Sequence, residues 1–145
     1  MPDTMERLKA ILAEVTDLHR AGAVLDWDQE TNMPPGGVHN RADQASTLSE
    51  VAHRRFISDE VGRLLDEAEG AAAKLDFDSD EASLIRVTRR DYEQARRLPP
   101  ELVAEVAHAG SAARPHWQRA SALAWWSSCS CGTTRVRDSS KSRCS

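Results

Sequence analysis

Residues 25–37 read LDWDQETNMPPGG and gather three acids, a tryptophan and a methionine ahead of a Pro-Pro-Gly-Gly breaker. Paired carboxylates can do general acid–base work, so Asp26, Asp28 and Glu30 come first. On a helix, residues two apart point to different sides, so this alternation does not make a carboxylate pair. Asp28 with Thr31 could instead arrange a local hydrogen-bonded turn. Trp27 is large enough to anchor the segment in a core. The stretch therefore reads as a capped, Trp-anchored corner at the end of a helix, with the lining of a substrate groove as the other reading and a direct catalytic role disfavoured.

Other chemistry-bearing residues are scattered. His19, His39, His53, His108 and His116 contain no H-x-x-x-H or H-E-x-x-H spacing, and single histidines on charged helices read as solvated surface residues. Cys129, Cys131 and Cys144 are confined to the last 17 residues. A structural zinc site wants four ligands inside a fold, so these read as thiols of an unstructured tail. No G-x-S-x-G is present, and Gly36-Gly37 follows prolines rather than a strand, so neither a nucleophile elbow nor a phosphate loop is expected. Arg54-Arg55, Arg89-Arg90 and Arg96-Arg97 sit beside acids and read as solvated faces rather than a nucleic-acid surface.

These residues must be positioned by helices. Leu8, Ile11, Leu12, Val15, Leu18, Gly22 and Leu25 recur in steps of three and four, which predicts a first helix from about Thr4 up to the Pro-Gly breaker. A second helix is predicted over 38–56 on Val38, Ala42, Ala45, Leu48, Ala52 and Phe56. Ser58 reads as the N-cap of a third, with Asp59 and Glu60 in its first turn and Val61, Leu64, Leu65 and Ala68 on its stripe. Asp78 with Glu81 has capping-box spacing and opens a fourth helix carrying Leu84, Ile85, Thr88, Tyr92 and Ala95. Leu98-Pro99-Pro100 ends it. Pro100 suits the first turn of a fifth helix, with Leu102, Val103, Val106, Gly110, Ala113 and Trp117 as its stripe and a kink or break at Pro115. No strand and no internal repeat is expected, so the fold class is all-α, of about five amphipathic helices.

The 145 residues suit one domain, with 40% apolar and 29% charged residues and a net charge of −4. That balance offers no general attraction to nucleic acid. The first residues, MPDTMERLKAILAEV, are charged and have no apolar h-region. No run approaches the roughly 18 apolar residues of a membrane span. A cytoplasmic location without nucleic-acid or membrane partners is expected. The composition shifts near residue 122. From Ser128 on there are four basic residues against one acid, a net +3 that leaves −7 on the remainder. So few apolar groups cannot offset the entropy of ordering. Residues 1–122 therefore read as the helical region and 123–145 as a disordered tail.

The corner and the helix after it resemble the start of the carboxypeptidase Taq family of metallocarboxypeptidases. The resemblance rests on Trp27, Asp28, Thr31, Met33 and Pro34, followed by Arg41, Gln44, Leu48 and Ser49. The later block DSDEASLIRVTRRDYEQARRLPPELVAE is similar to the family as well. Together they cover about residues 4–121, with Asn32 standing where the family often has an aromatic residue. The resemblance implies the N-terminal helical segment of a larger all-helical metallopeptidase. Such enzymes release C-terminal amino acids from peptides and are usually homodimers. The resemblance implies zinc or another divalent metal, held by an H-E-x-x-H helix and a downstream Glu, with the motif Glu as general base. Those ligands are not among the 145 residues, so no catalytic residue and no bound metal are expected on this chain. The corner residues Trp27, Asp28, Thr31, Met33, Pro34, Arg41 and Gln44 are expected to be structural or to line the groove that these helices cover in the family. The abrupt tail also resembles translation of a shifted reading frame. A helical module that self-associates through its exposed apolar faces, without catalysis, is the alternative.

Overall fold

A computed structural model describes the backbone of residues 2–72 and 75–132 and the side chains of 3–72 and 75–121. Five α-helices lie among the described residues: α1 (Pro2–Thr31), α2 (Val38–Phe56), α3 (Asp59–Ala72), α4 (Asp80–Ala95) and α5 (Pro100–Gly132), with a 3-10 turn at Pro35–Gly37. None of the described residues is in a strand. The chain divides into two compact units, Met1–Ala112 and Ala113–Ser145.

In the first unit the stripe of α1 packs on α2 and α3, and α4 closes against α3 and α2. The core gathers Leu8 and Ile11 of α1, Val61 and Leu65 of α3, and Tyr92 of α4, flanked by Leu12, Phe56 and Leu64. Each fully buried Leu, Ile or Val contributes about 1.5–3 kcal/mol relative to exposure. Phe56 meets Tyr92 edge-to-face, with ring centroids 6.2 Å apart. α2 contributes small residues, Ala42 and Ala52, as its buried positions, which lets its backbone come close to its neighbours. Gly62 does the same for Tyr92, because a Cβ there would lie 2.6 Å from the phenol oxygen.

Two caps differ from expectation. The N-cap of α4 is Ser79, not Asp78, with φ −67° and ψ 147° and its hydroxyl accepting from the Ala82 N–H at 3.3 Å. A turn over 76–79, closed by the Ser79 N–H and hydroxyl donating to the Asp76 carbonyl, moves the helix start one residue on. Ser58 precedes α3, but its buried hydroxyl caps nothing. Its carbonyl accepts from the Gly62 N–H at 3.2 Å and from Tyr92 Oη at 3.4 Å.

α5 presents another face than its stripe predicts. Ala104 and Ser111 are buried and Val103, Ala107 and His108 half-buried, whereas Leu102 and Val106 are exposed. Small side chains permit the approach, and the large ones are left outside. The helix continues through Pro115 rather than breaking there. In the second unit the Arg119 side chain donates to the Pro115 carbonyl at 3.2 Å. Of the expected tail, 123–132 are described as backbone of α5; residues 133–145 lie outside the described residues, as do the side chains of Cys129, Cys131 and Cys144.

Salt bridges tie the helices. Arg55 of α2 bonds Glu14 of α1 and Glu60 of α3, and Arg7 of α1 also reaches Glu60. Hydrogen bonds from Arg55 and then Arg7 hold the Glu60 carboxyl below the usual carboxylate range, and the bonds to Glu14 and Glu60 push the Arg55 guanidinium up. Arg89 of α4 engages Glu69 and Asp66 of α3. One member of each of two arginine pairs does more than coat a solvated face, whereas Arg96 and Arg97 are exposed as expected. Arg55 and Arg89, with side chains 27% and 19% exposed, stitch helices together.

Candidate functional site: the α1–α2 corner

α1 ends because the chain meets two prolines. The Asp28 carbonyl accepts from both the Asn32 and Met33 N–H groups at 2.9 Å, which tightens the last turn. Pro34 is extended, with φ −67° and ψ 150°. Its carbonyl then takes the Gly37 N–H at 2.8 Å and closes the 3-10 turn. Met33 folds over that turn, and a Cβ at position 37 would sit 2.9 Å from Met33 Cγ. Val38 starts α2 without a side-chain cap.

The clamp across the corner is Arg41. Its Nη2 donates to Asp28 Oδ2 at 2.5 Å and its Nη1 to the Leu25 carbonyl at 3.0 Å. The Arg41 side chain is 13% exposed, and its Nε is buried without a partner. A charge-assisted pair this sheltered is stronger than a surface pair. Asp28 thus pairs with Arg41 in α2. The local turn expected from Asp28 and Thr31 is not made; the Thr31 hydroxyl donates to the Trp27 carbonyl at 2.8 Å.

Trp27 does not anchor the corner in the core. It is 62% exposed, close to Val24 at 63%. The apolar stripe of α1 lies on the opposite side, and the clamp holds the corner in its place. Of the family-motif residues, Asp28 and Arg41 are brought together, Met33 packs on Gly37, and Thr31, Pro34 and Gln44 are exposed.

Gln29 carries a contact that the sequence reading does not single out. It is 7% exposed, and its amide bonds Ser111 of α5 twice. A signal was present, since Gln29 continues the stripe of Leu18, Gly22 and Leu25, where a polar residue must find a partner.

Some histidines are less solvated than expected. His53 Nε2 lies 2.9 Å from the Leu98 carbonyl. His108 lies 3.4 Å from Asp43 and edge-on to His39, with centroids 6.0 Å apart. Arg54, at the other end of α2, joins Glu50 and Glu101. Among the described residues no three His, Cys, Asp or Glu side chains are grouped so as to hold a metal ion, and no helix is long and apolar enough to cross a membrane. The corner offers an Asp28–Arg41 ion pair and an exposed indole at Trp27.

The family model described as carboxypeptidase Taq (M32) metallopeptidase matches residues 7–127. Similar curated proteins include thermostable carboxypeptidase 1 of Thermus thermophilus, 36% identical over 107 residues, covering 74% of this chain and 21% of that protein. Thermostable carboxypeptidase 1 of Pyrococcus furiosus is 32% identical over 120 residues, covering 81% of this chain and 23% of that protein. Carboxypeptidase 1 of Bacillus subtilis is 24% identical over 110 residues, covering 76% of this chain and 22% of that protein. No solved structure matches. The chain therefore spans between a fifth and a quarter of the length of these relatives.

Proposed function

The chain belongs to the carboxypeptidase Taq (M32) metallopeptidase family, and on that premise we propose that it is the N-terminal helical part of a metal-dependent carboxypeptidase. The parent activity is release of C-terminal amino acids from peptides. The observation that carries this reading is the match over residues 7–127, which takes in the whole corner. A zinc or other divalent ion in the parent supplies a polarised water or carbonyl. The donors described on this chain do not fit such an ion, and no step is assigned to them. What the chain contributes is a wall: a corner locked by Asp28 and Arg41 that presents Trp27, with the peptide groove of the parent as the surface it covers. The 145 residues contain no H-E-x-x-H, so the chain by itself does not hydrolyse peptides.

The test is an assay of the purified chain with blocked dipeptides, with and without added Zn²⁺ or Co²⁺. Release of amino acids above the chain-free blank, abolished by a chelator, would overturn the inactive reading.

A second reading is favoured by one observation. Leu102 and Val106, four residues apart on α5, are 44% and 65% exposed, and Leu98 just before that helix is 48% exposed. Such exposed apolar side chains suit self-association of a helical module that has no catalysis. Light scattering separates the readings: a concentration-independent monomer that unfolds cooperatively argues against the self-associating module.

A further inference from the structure

α5 carries Pro115 in its interior. In an α-helix each carbonyl accepts from the N–H four residues on, and proline has none. The carbonyl that loses its donor is that of Ser111. Ser111 is 3% exposed, so solvent is a poor substitute. Gln29 of α1 stands in. Its Nε2 donates to the Ser111 carbonyl at 2.8 Å, and its Oε1 accepts from Ser111 Oγ at 2.8 Å. Chemistry selects this orientation of the amide, because the reverse would set Oε1 against the carbonyl oxygen, acceptor to acceptor.

We propose that Gln29 is a positioning residue that latches the first part of α5 to the end of α1, and that it is required because Pro115 removes the helical donor of the Ser111 carbonyl. Its place in the chain gives the latch a consequence for the corner. Asp28 ties α1 to α2 through Arg41, and the next residue ties α1 to α5. Two successive residues therefore hold the corner from two sides.

The test is a double-mutant cycle on the full chain with Gln29→Met, Pro115→Ala and both, followed by urea unfolding. In the parent background, Gln29→Met orphans a buried carbonyl and raises the unfolding equilibrium constant about tenfold or more. In the Pro115→Ala background the new amide at position 115 can donate to the Ser111 carbonyl, and the same change raises the constant less than about threefold. The Ser111 hydroxyl does not obscure the result, since it can turn to a carbonyl in the preceding turn. Equal effects in the two backgrounds would overturn the link to Pro115. Gln29→Glu supplies a second measurement, by hydrogen exchange over residues 103–112 against the parent at each pH. A carboxylate cannot donate to the carbonyl, but a protonated carboxyl can. Protection lost at pH 7 and regained near pH 4 supports the latch. If Gln29→Met folds only when combined with Pro115→Ala, the latch is likewise supported. Failure in both backgrounds, with a Glu variant indifferent to pH, counts against it.

Discussion

Replacing Gly62 by Ala sets two known effects against each other at one position. Gly62 lies inside α3, where Ala is favoured over Gly by about 0.8–1 kcal/mol. If intrinsic propensity decided, the variant would be more stable. The structure argues otherwise. The new methyl would sit 2.6 Å from Tyr92 Oη and 3.3 Å from Cζ, closer than packed atoms tolerate. The phenol cannot easily withdraw, because Tyr92 is 3% exposed, its ring abuts Phe56, and its hydroxyl donates to the Ser58 carbonyl. Overpacking of this kind costs about 1–3 kcal/mol, so the net expectation is a destabilisation of about 1 kcal/mol. Tyr92→Phe removes the clashing oxygen and leaves the 3.3 Å contact, which a small ring shift relieves. Gly62→Ala should then be neutral or stabilising in the Tyr92→Phe background, giving a coupling of about 1–2 kcal/mol in a double-mutant cycle. Chemical denaturation followed by circular dichroism measures all four chains. A more stable Gly62→Ala in the parent background, or no coupling, would refute the steric reasoning.

Arg41→Met should destabilise the chain by about 1–2 kcal/mol, because it leaves the Asp28 carboxylate without its sheltered partner; urea midpoints check this, with Asp28→Asn as the complementary variant. Ser79→Ala removes the hydroxyl that accepts from the Ala82 N–H and should cost about 1 kcal/mol, whereas Asp78→Ala should cost less; the reverse order in thermal melts would restore Asp78 as the cap. Glu60 has its folded pKa lowered by Arg55 and Arg7, so its stabilisation is present above the unfolded carboxylate value of about 4.3 and is lost as pH falls through the lower folded value. The stability gap between the parent and Glu60→Gln should therefore be present at pH 7 and shrink as pH falls below about 4, and a gap that widens on acidification would contradict the assignment.

Local patterning made the helices legible. α2 spans Val38–Phe56 as its periodicity predicts, because its apolar steps keep one face and the 3-10 turn over Pro35–Gly37 precedes it. The buried Leu8, Ile11, Val61, Leu65, Ile85 and Tyr92 all lie on predicted stripes. Capping was less legible: Ser79 and Asp78 are both competent, and a turn through Asp76 chose between them.

The sequence by itself determined an all-helical chain, the sharp corner at Pro-Pro-Gly-Gly and the membership that Trp27, Asp28, Met33 and Arg41 signal, since these depend on near-neighbour chemistry and spacing. Only the tertiary structure decided which face of each helix meets another. It turned Trp27 outward, set Leu102 and Val106 outside while Ala104 and Ser111 went in, and brought Gln29 to a residue 82 positions away. The reason is physical. A period identifies an apolar stripe, but the helix that comes to lie against it is chosen by side-chain size and by the polar groups that must find partners over long separations in the chain.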